Sequence, residues 1–323
     1  MSNAHAVVVL PPGAYGQIAD HRLRRWISRG RLDFAAPDAD ALHQVLQILR
    51  VPQPETGYAA LRYWGQTGVR PAVWMAAADP VHLETRLRHL VLRAFRPGEI
   101  AADELGAIFR ELQATLGNGD DTAFEAIGNS GYLTSQAGFA TATVSATVAD
   151  GRLPDEFTPG GEQARRLHQL QSEVQMLLHG MEINQIRVAG GQVAVNALWF
   201  WGGGSLPEPR QLSLPMLFAD DPLFKGFWHN AGARTAAWDA DIRRAVGNAG
   251  GAVVMVAPPC APERSADLLR DCLDAFRRCL WRGDLEAITA LFGDGLSVRL
   301  RRRDLLRFWR GASRLLNERD AGA

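Results

Sequence analysis

The chain has 323 residues, and its 35 basic and 35 acidic side chains give a formal net charge of zero. Its hydrophobic content of 47% excludes wholesale disorder, and its length allows one large or two moderate domains. A neutral total charge gives no reason to expect nucleic acid as the main partner.

The cysteines and the N-terminal region both indicate a soluble protein of the cytoplasm. The three cysteines, Cys260, Cys272 and Cys279, have no Cys-x-x-Cys spacing, which is typical of thiols kept in a reducing compartment. Residues 7–10 are too few for a signal peptide or a membrane span. We therefore expect no membrane partner.

Apolar periodicity and turn residues predict strands that alternate with helices. Strands are predicted at residues 6–10, 193–204 and 251–257, with a β-hairpin at 286–300. The pattern predicts helices at residues 38–50, 58–64, 103–116, 162–179, 222–230, 238–246, 263–281 and 301–310. This order indicates an α/β fold with a central, mostly parallel sheet flanked by helices and a C-terminal β-hairpin plus helix. We predict a single domain over residues 1–323, with a possible internal boundary near 150–161.

The apolar run at residues 193–204 is the most distinctive segment of the sequence. A short continuous run of this kind, closed by glycines, predicts a strand that is buried on both faces. Glycines at a strand end allow a ligand or another backbone to approach closely. The candidate ligand-binding residues in this strand are Asn196, Trp199, Trp201, Gly202, Gly203 and Gly204. A core strand with a tight exit turn is an equally good interpretation.

Polar residues concentrate at the junction between the helix at 162–179 and this strand. They are Glu173, His179, Asn184 and Arg187. An arginine beside amide groups and glycine backbone suits a carboxylate or a phosphate, so this junction is a candidate small-anion pocket. The helix dipole alone also explains a histidine in a last helical turn.

A second candidate pair, Asp79 and His82, follows the apolar run at residues 71–78. Such a pair could ligate a metal or position a phosphate. A turn or helix start at Asp79-Pro80, with a partly exposed histidine, is the commoner interpretation of this pattern.

Several of these motifs resemble a known family. Residues 175–179, Asn184, Arg187 and residues 195–207 are similar to proteobacterial proteins described as cofactor-independent phosphoglycerate mutase-like or as RpfE-type regulatory proteins. Residues 78–83 and 305–310 agree with that resemblance. Because archaeal-type phosphoglycerate mutases carry a related tryptophan–glycine strand, the resemblance implies an alkaline-phosphatase-like α/β fold.

The resemblance also implies a reaction that needs two divalent metals, several Asp and His ligands and a serine that carries the phosphoryl group. In this chain the first predicted strand leads to Pro11 rather than to an aspartate, and the histidines are scattered. We therefore assign no catalytic residue, metal or cofactor and expect a non-catalytic or regulatory relative that binds a small phosphorylated or carboxylated ligand. The alternatives are an active mutase or related phosphotransferase that uses Mn or Zn, and a module that binds a protein partner through residues 301–310.

Overall fold

The computed structural model describes residues 4–11, 18, 20–34, 39–86, 89–117, 121–260, 262–293 and 295–307. The chain forms two compact units. The first unit combines residues 1–52 with residues 209–323, and the second unit consists of residues 53–208. The second unit is thus an insertion into the chain of the first.

The first unit is built on a mostly parallel sheet. Its strands are β1 (His5–Val9), β2 (Arg31–Phe34), β8 (Met216–Ala219), β9 (Thr235–Ala236), β10 (Val253–Val256), β11 (Ala287–Leu291) and β12 (Leu296–Arg301). Their order in the sheet is β2-β12-β11-β1-β10-β8-β9. The strands from β11 to β9 run parallel, whereas β12 is antiparallel to both of its neighbours.

Helices flank this sheet. They are α1 (His21–Ile27), α2 (Ala41–Leu49), α8 (Pro222–Asn230), α9 (Ile242–Ala249) and α10 (Pro262–Arg282). Alternate residues of β1, such as Ala6 and Val8, join one core cluster with apolar side chains of α1, α9 and α10. The central strands are continuous apolar runs without polar alternation, because neighbouring side chains pack over them and exclude water.

The second unit contains an antiparallel sheet. Its strands are β3 (Trp74–Arg86), β4 (His89–Ala94), β5 (Thr122–Ile127), β6 (Ser130–Ser135) and β7 (Ala197–Gly204). Its helices are α3 (Tyr58–Thr67), α4 (Ala102–Leu116), α5 (Ala146–Ala149), α6 (Arg165–Gly180) and α7 (Glu182–Ala189). The long strand β3 pairs with β4, β6 and β7, and β6 also pairs with β5.

The two faces of β3 and β7 are covered by different helices. Ala78, Leu198 and Phe200 share one core cluster with apolar residues of α4 and α6. Asp79 and Trp201 lie on the opposite face, because side chains alternate along a strand, and this face is covered by α3. A sheet packed on both faces explains why β7 is buried although its partner is antiparallel.

The predicted α/β class, with a central, mostly parallel sheet flanked by helices, is confirmed, as is the C-terminal β-hairpin, formed by β11 and β12. In the described part of the C-terminal segment, residues 302–306 form a short 3-10 helix. The remainder of the helix predicted at 301–310, from residue 308 onward, lies outside the described residues. No membrane-spanning helix, judged by length and apolar character, occurs in the described ranges.

Two sequence interpretations differ from the structure. The run at residues 193–204, predicted as a strand buried on both faces, forms β7 from residue 197 onward. It belongs to the antiparallel sheet and not to the central, mostly parallel one. Asp79 and Pro80 lie inside β3 rather than in a turn. Pro80 lies between the stretches of β3 that pair with β6 and with β4, where a missing backbone N–H is tolerated.

The single domain over residues 1–323 stays a prediction, since two compact units can still fold together. The boundaries between the two compact units are at residues 52/53 and 208/209. The predicted boundary near 150–161 lies inside the second unit, next to α5 and a short 3-10 helix at Pro154–Glu156.

Candidate functional site

A buried polar cluster centred on Asp79 and Arg62 lies where α3 covers the sheet of the second unit. Arg62 Nη1 donates to Asp79 Oδ1 at 2.8 Å, and Trp201 Nε1 donates to Asp79 Oδ2 at 2.6 Å. Arg62 Nη2 donates to the carbonyl oxygen of Gly131 at 2.8 Å. Both carboxylate oxygens of Asp79 therefore already accept hydrogen bonds from neighbouring side chains.

Aromatic rings complete this Asp79–Arg62 cluster. The Arg62 guanidinium carbon lies 4.7 Å from the ring centre of Tyr132 and 5.4 Å from that of Trp201, within the range of cation–π attraction. The Tyr132 hydroxyl donates to Gln66 Oε1 at 2.6 Å. The cluster thus ties the second and third turns of α3 to β3, β6 and β7.

The ionisation states in the Asp79–Arg62 cluster follow from burial and charge. Burial lowers the pKa of Arg62, but the Asp79 carboxylate and the Tyr132 phenol more than offset this effect, so the pKa is raised overall. Burial raises the pKa of the Tyr132 hydroxyl against the opposing effect of Arg62. At neutral pH the arginine is charged and the tyrosine is protonated, which favours a stable ion pair over proton transfer.

The junction predicted as an anion pocket contains an arginine whose donors are engaged by the protein itself. Arg187 is 2% exposed; its Nε donates to the Val193 carbonyl at 2.8 Å and its Nη1 to Glu104 Oε1 at 2.7 Å. Its Nη2 donates to the Glu99 carbonyl at 3.0 Å. An anion at this position would have to displace Glu104, because these contacts already compensate the buried charge.

The two predicted asparagines hold backbone segments together. Asn184 donates to the carbonyl oxygens of Leu178 and Val195, and its Oδ1 accepts from the Val195 amide. Asn196 accepts from the Leu83 amide at 2.7 Å and donates to the Leu83 carbonyl at 3.0 Å. These amides satisfy backbone groups next to β7, as buried amides must.

The glycines of β7 allow close packing within the second unit. A Cβ on Gly203 would lie 2.8 Å from Trp74 Cζ2, and a Cβ on Gly204 would lie 2.4 Å from the backbone nitrogen of Gly57. Gly202 has a φ of 62°, in the region that favours glycine. The three glycines therefore let the strand approach other parts of its own unit.

The remaining predicted residues lie apart from the Asp79–Arg62 cluster. His82 Nδ1 is 2.9 Å from the Ala194 carbonyl oxygen, and Trp199 Nε1 donates to the Val144 carbonyl at 2.9 Å. Glu173 accepts from Gln169 on α6, and His179 is exposed at the end of that helix. The structure thus unites Asp79 with Trp201, whereas His82, Glu173, Asn184, Arg187, Asn196 and Trp199 have separate partners.

Arg62 and Tyr132 were not identified from the sequence. The available signal was an arginine on the apolar face of α3, next to the buried residues Ala59 and Leu61. Its acceptor Asp79 lies 17 positions away, beyond the reach of helix-spacing arguments.

Two divalent metals need several carboxylate or imidazole ligands in one place. All eight histidines and all three cysteines belong to the described residues, and those residues contain no group of three or more His, Cys, Asp or Glu suited to a metal. After β8, Asp220 accepts from the Trp238 amide at 3.3 Å, and Asp221 caps α8 through the Phe224 amide. After β10 the chain continues with Ala257 and two prolines. The donor set in the described chain therefore does not fit a two-metal centre.

No protein-family model matches the chain. The chain is 25% identical over 137 residues to the 2,3-bisphosphoglycerate-independent phosphoglycerate mutase of Methanosarcina barkeri, a match that covers 41% of this chain and 34% of that protein. It is 26% identical over 120 residues to a probable 2,3-bisphosphoglycerate-independent phosphoglycerate mutase of Geobacter sulfurreducens, covering 37% and 30%. The chain thus spans about a third of the length of the curated relatives it matches.

Two solved structures align with most of the chain. The PH0037 protein from Pyrococcus horikoshii aligns with a TM-score of 0.52 and 13% identity, covering 93% of this chain and 88% of that chain. The cofactor-independent phosphoglycerate mutase from Thermoplasma acidophilum aligns with a TM-score of 0.40 and 14% identity, covering 92% and 90%. The alignment with PH0037 shows a common fold, and the sequence matches show distant homology to cofactor-independent phosphoglycerate mutases.

Proposed function

We propose that this chain is a phosphoglycerate mutase-like protein of the cytoplasm that has lost two-metal phosphoryl transfer and acts as a regulatory relative. The distant sequence similarity supports descent from the mutases. The similarity of the tryptophan–glycine motif to RpfE-type regulatory proteins supports the regulatory role.

The observation that carries this proposal is the chemistry at the ends of the parallel strands. Ligands in open α/β sheets bind beyond the carboxyl ends of the strands. In the described residues of this chain, Asp220 and Asp221 accept hydrogen bonds from backbone amides there, and β1 and β10 lead into prolines. Neutralising both the attacking and the leaving oxygen of a phosphoryl transfer would need more ligands than this arrangement offers.

The small phosphorylated or carboxylated ligand stays a prediction. Arg187 and Trp201 have protein partners in the folded chain, so an anion would bind elsewhere or displace Glu104. A bound anion at about 100 times its dissociation constant stabilises the folded state by roughly 2.7 kcal/mol. Thermal melts with phosphate, 3-phosphoglycerate and acetate therefore test this part directly.

The catalytic part is tested by an assay of phosphoglycerate mutase turnover with added Mn²⁺, Zn²⁺ or Mg²⁺. The Methanosarcina barkeri protein is the positive control under the same conditions. We expect no turnover above the background without enzyme. Turnover that a chelator abolishes, and that is lost in Asp220→Asn but kept in the surface variant Asp267→Asn, would establish an active phosphotransferase and overturn the proposal.

A further inference from the structure

A cleft of about 320 Å³ opens in the second unit, apart from the Asp79–Arg62 cluster. Val81 of β3 and Leu198 and Trp199 of β7 contribute its inner wall, and α6 and the segment around Pro154 contribute the rest. This volume lies in the range of roughly 300 to 1,000 Å³ that is typical of small-molecule sites. Nothing in the proposed function uses this cleft.

Two leucines leave apolar surface exposed at this cleft. Leu90 of β4 is 46% exposed and Leu153 is 38% exposed, and both line the cleft. A ligand that covers exposed leucines in one concavity removes their apolar surface from water, and this burial favours binding. The apolar wall therefore favours a ligand with an aromatic or aliphatic body.

Polar side chains converge on the same cleft. His168, Gln171 and Gln175 are spaced by three and four residues, so they form one stripe along α6. His89, Asp155 and Thr158 add further polar groups to the lining. Within the described chain, none of these six side chains makes a hydrogen bond or ion pair to another residue. Unpaired polar groups around an apolar wall are the arrangement by which pockets orient a ligand.

The charge of the lining limits the kind of ligand. Among the described lining residues Asp155 is the only carboxylate, and no arginine or lysine is present. A phosphate or carboxylate would lack an arginine or lysine partner here and would be repelled by Asp155. Glutamine amides both donate and accept hydrogen bonds, so they suit an amide or an amidinium group.

We propose that this cleft binds a small aromatic molecule that carries an amide or amidinium group and no negative charge. The aromatic ring lies against the apolar wall with Leu90 and Leu153. The polar group of the ligand bonds with the α6 stripe of His168, Gln171 and Gln175, and a positive charge is favoured by Asp155.

Benzamide, benzamidine and benzoate test this proposal, because they place a neutral, a positive and a negative group on the same ring. We titrate each probe into the full chain by calorimetry and follow chemical shifts by NMR. For fragments of this size we expect dissociation constants of about 1 to 10 mM for benzamide and benzamidine. Benzoate is expected to bind at least about five-fold more weakly. Equal or tighter binding of benzoate, or no saturable binding of any probe, overturns the proposal.

Matched variants locate the site. Gln171→Leu removes a polar group of the stripe and should weaken benzamide about five-fold, the equivalent of one hydrogen bond. Gln169→Leu changes the same residue type on the same helix, but Gln169 donates to Glu173 and does not line the cleft, so binding should be unchanged. Equal effects of the two variants would contradict the location.

A second pair of variants tests the role of charge. Asp155→Asn should reduce the preference for benzamidine over benzoate, because it removes the carboxylate from the lining. Glu111→Gln removes a carboxylate from an exposed position of α4 in the same unit and should leave the preference intact. A preference that survives Asp155→Asn unchanged would show that the carboxylate does not select the ligand.

Discussion

Replacing Asp79 by asparagine is expected to destabilise the second unit strongly. In the native protein both Asp79 oxygens accept hydrogen bonds, one from Arg62 and one from Trp201. The asparagine side chain has only one oxygen, so its NH₂ group would face one of these two donors. The substitution also leaves the charge of Arg62 without its partner.

The burial of the two side chains sets the size of the expected loss in stability. The side chains of Arg62 and Asp79 are only 11% and 19% exposed. Removing one partner of a buried ion pair costs about 3 to 5 kcal/mol, and the residual exposure favours about 3 kcal/mol. Replacing both residues, as Arg62→Met with Asp79→Leu, should cost less than the sum of the single changes, because no unpaired charge remains. We expect a coupling energy of about 2 kcal/mol.

The assay is urea unfolding of the full chain and of the single and double variants, followed by tryptophan fluorescence and circular dichroism. Arg152–Glu156 is the matched control, since it is a 2.5 Å ion pair in the same unit whose side chains are 32% and 39% exposed. Its coupling energy should be about 0.5 kcal/mol or less. Equal coupling energies for the two pairs, or a stable Asp79→Asn variant, would refute the assignment of a buried, stabilising ion pair between α3 and β3.

Burial, and then the charge of Arg299, lower the pKa of His5 from 6.5 to about 4. The unfolded chain therefore takes up the proton first, and stability falls as the pH drops from 6.5 to 4, by about 1 to 2 kcal/mol after allowance for partial exposure. Gly203→Ala should destabilise by about 1 to 3 kcal/mol, since its Cβ would lie 2.8 Å from an indole carbon of β3. Arg187→Ala should cost about 3 kcal/mol or more, because it leaves a carboxylate and two carbonyl oxygens without their donor.

Urea unfolding against pH checks the first of these predictions, and His5→Gln should flatten the curve between pH 4 and 6.5. Unchanged pH dependence in that variant would contradict the lowered pKa. Gly180→Ala is the control for Gly203→Ala, because a Cβ there meets open space at the end of α6. Arg110→Ala, an exposed position on α4, is the control for Arg187→Ala. Each control should destabilise the chain by less than about 0.5 kcal/mol.

Elements with local signals could be predicted from the sequence. The helix predicted at 38–50 is α2, and Asp40 caps it through the His43 amide. Pro222 begins α8 after the cap Asp221, and a glycine-rich turn separates β11 from β12. In each case the residues that decide the structure lie within a few positions of one another, so capping and turn preferences predict it from the sequence.

The strand that pairs with β7 could not be predicted from local sequence signals. The strand pairs with β3, more than a hundred residues earlier in the chain, and buried apolar residues do not specify a parallel or an antiparallel neighbour. Asp79-Pro80 indicated a turn by its local chemistry, but pairing with β7 holds it in a strand. The insertion of residues 53–208 into the chain of the first unit could not be predicted either, because it depends on contacts between distant segments.

The contacts of the candidate site also join segments that are distant in the sequence, so they could not be predicted from it. Asp79 and Trp201 were both named as candidates from the sequence. Their direct hydrogen bond depends on the pairing of β3 with β7, and their shared neighbour Arg62 depends on how α3 packs against the sheet. Arg187 was predicted to bind a small anion, and in the folded chain it donates to Glu104 and to two backbone carbonyl oxygens. Its contacts with Glu104 and with the Glu99 carbonyl come from a helix start some 80 residues away, which the sequence gives no means to foresee.

Equilibrium metal binding tests the loss of the two-metal centre most directly. The purified full chain is dialysed against Mn²⁺ or Zn²⁺, and bound metal is measured by elemental analysis beside the Methanosarcina barkeri mutase. We expect bound metal well below one equivalent per chain, with no change after Asp220→Asn. About two tightly held equivalents per chain, reduced by that substitution, would contradict the loss of metal-dependent phosphoryl transfer.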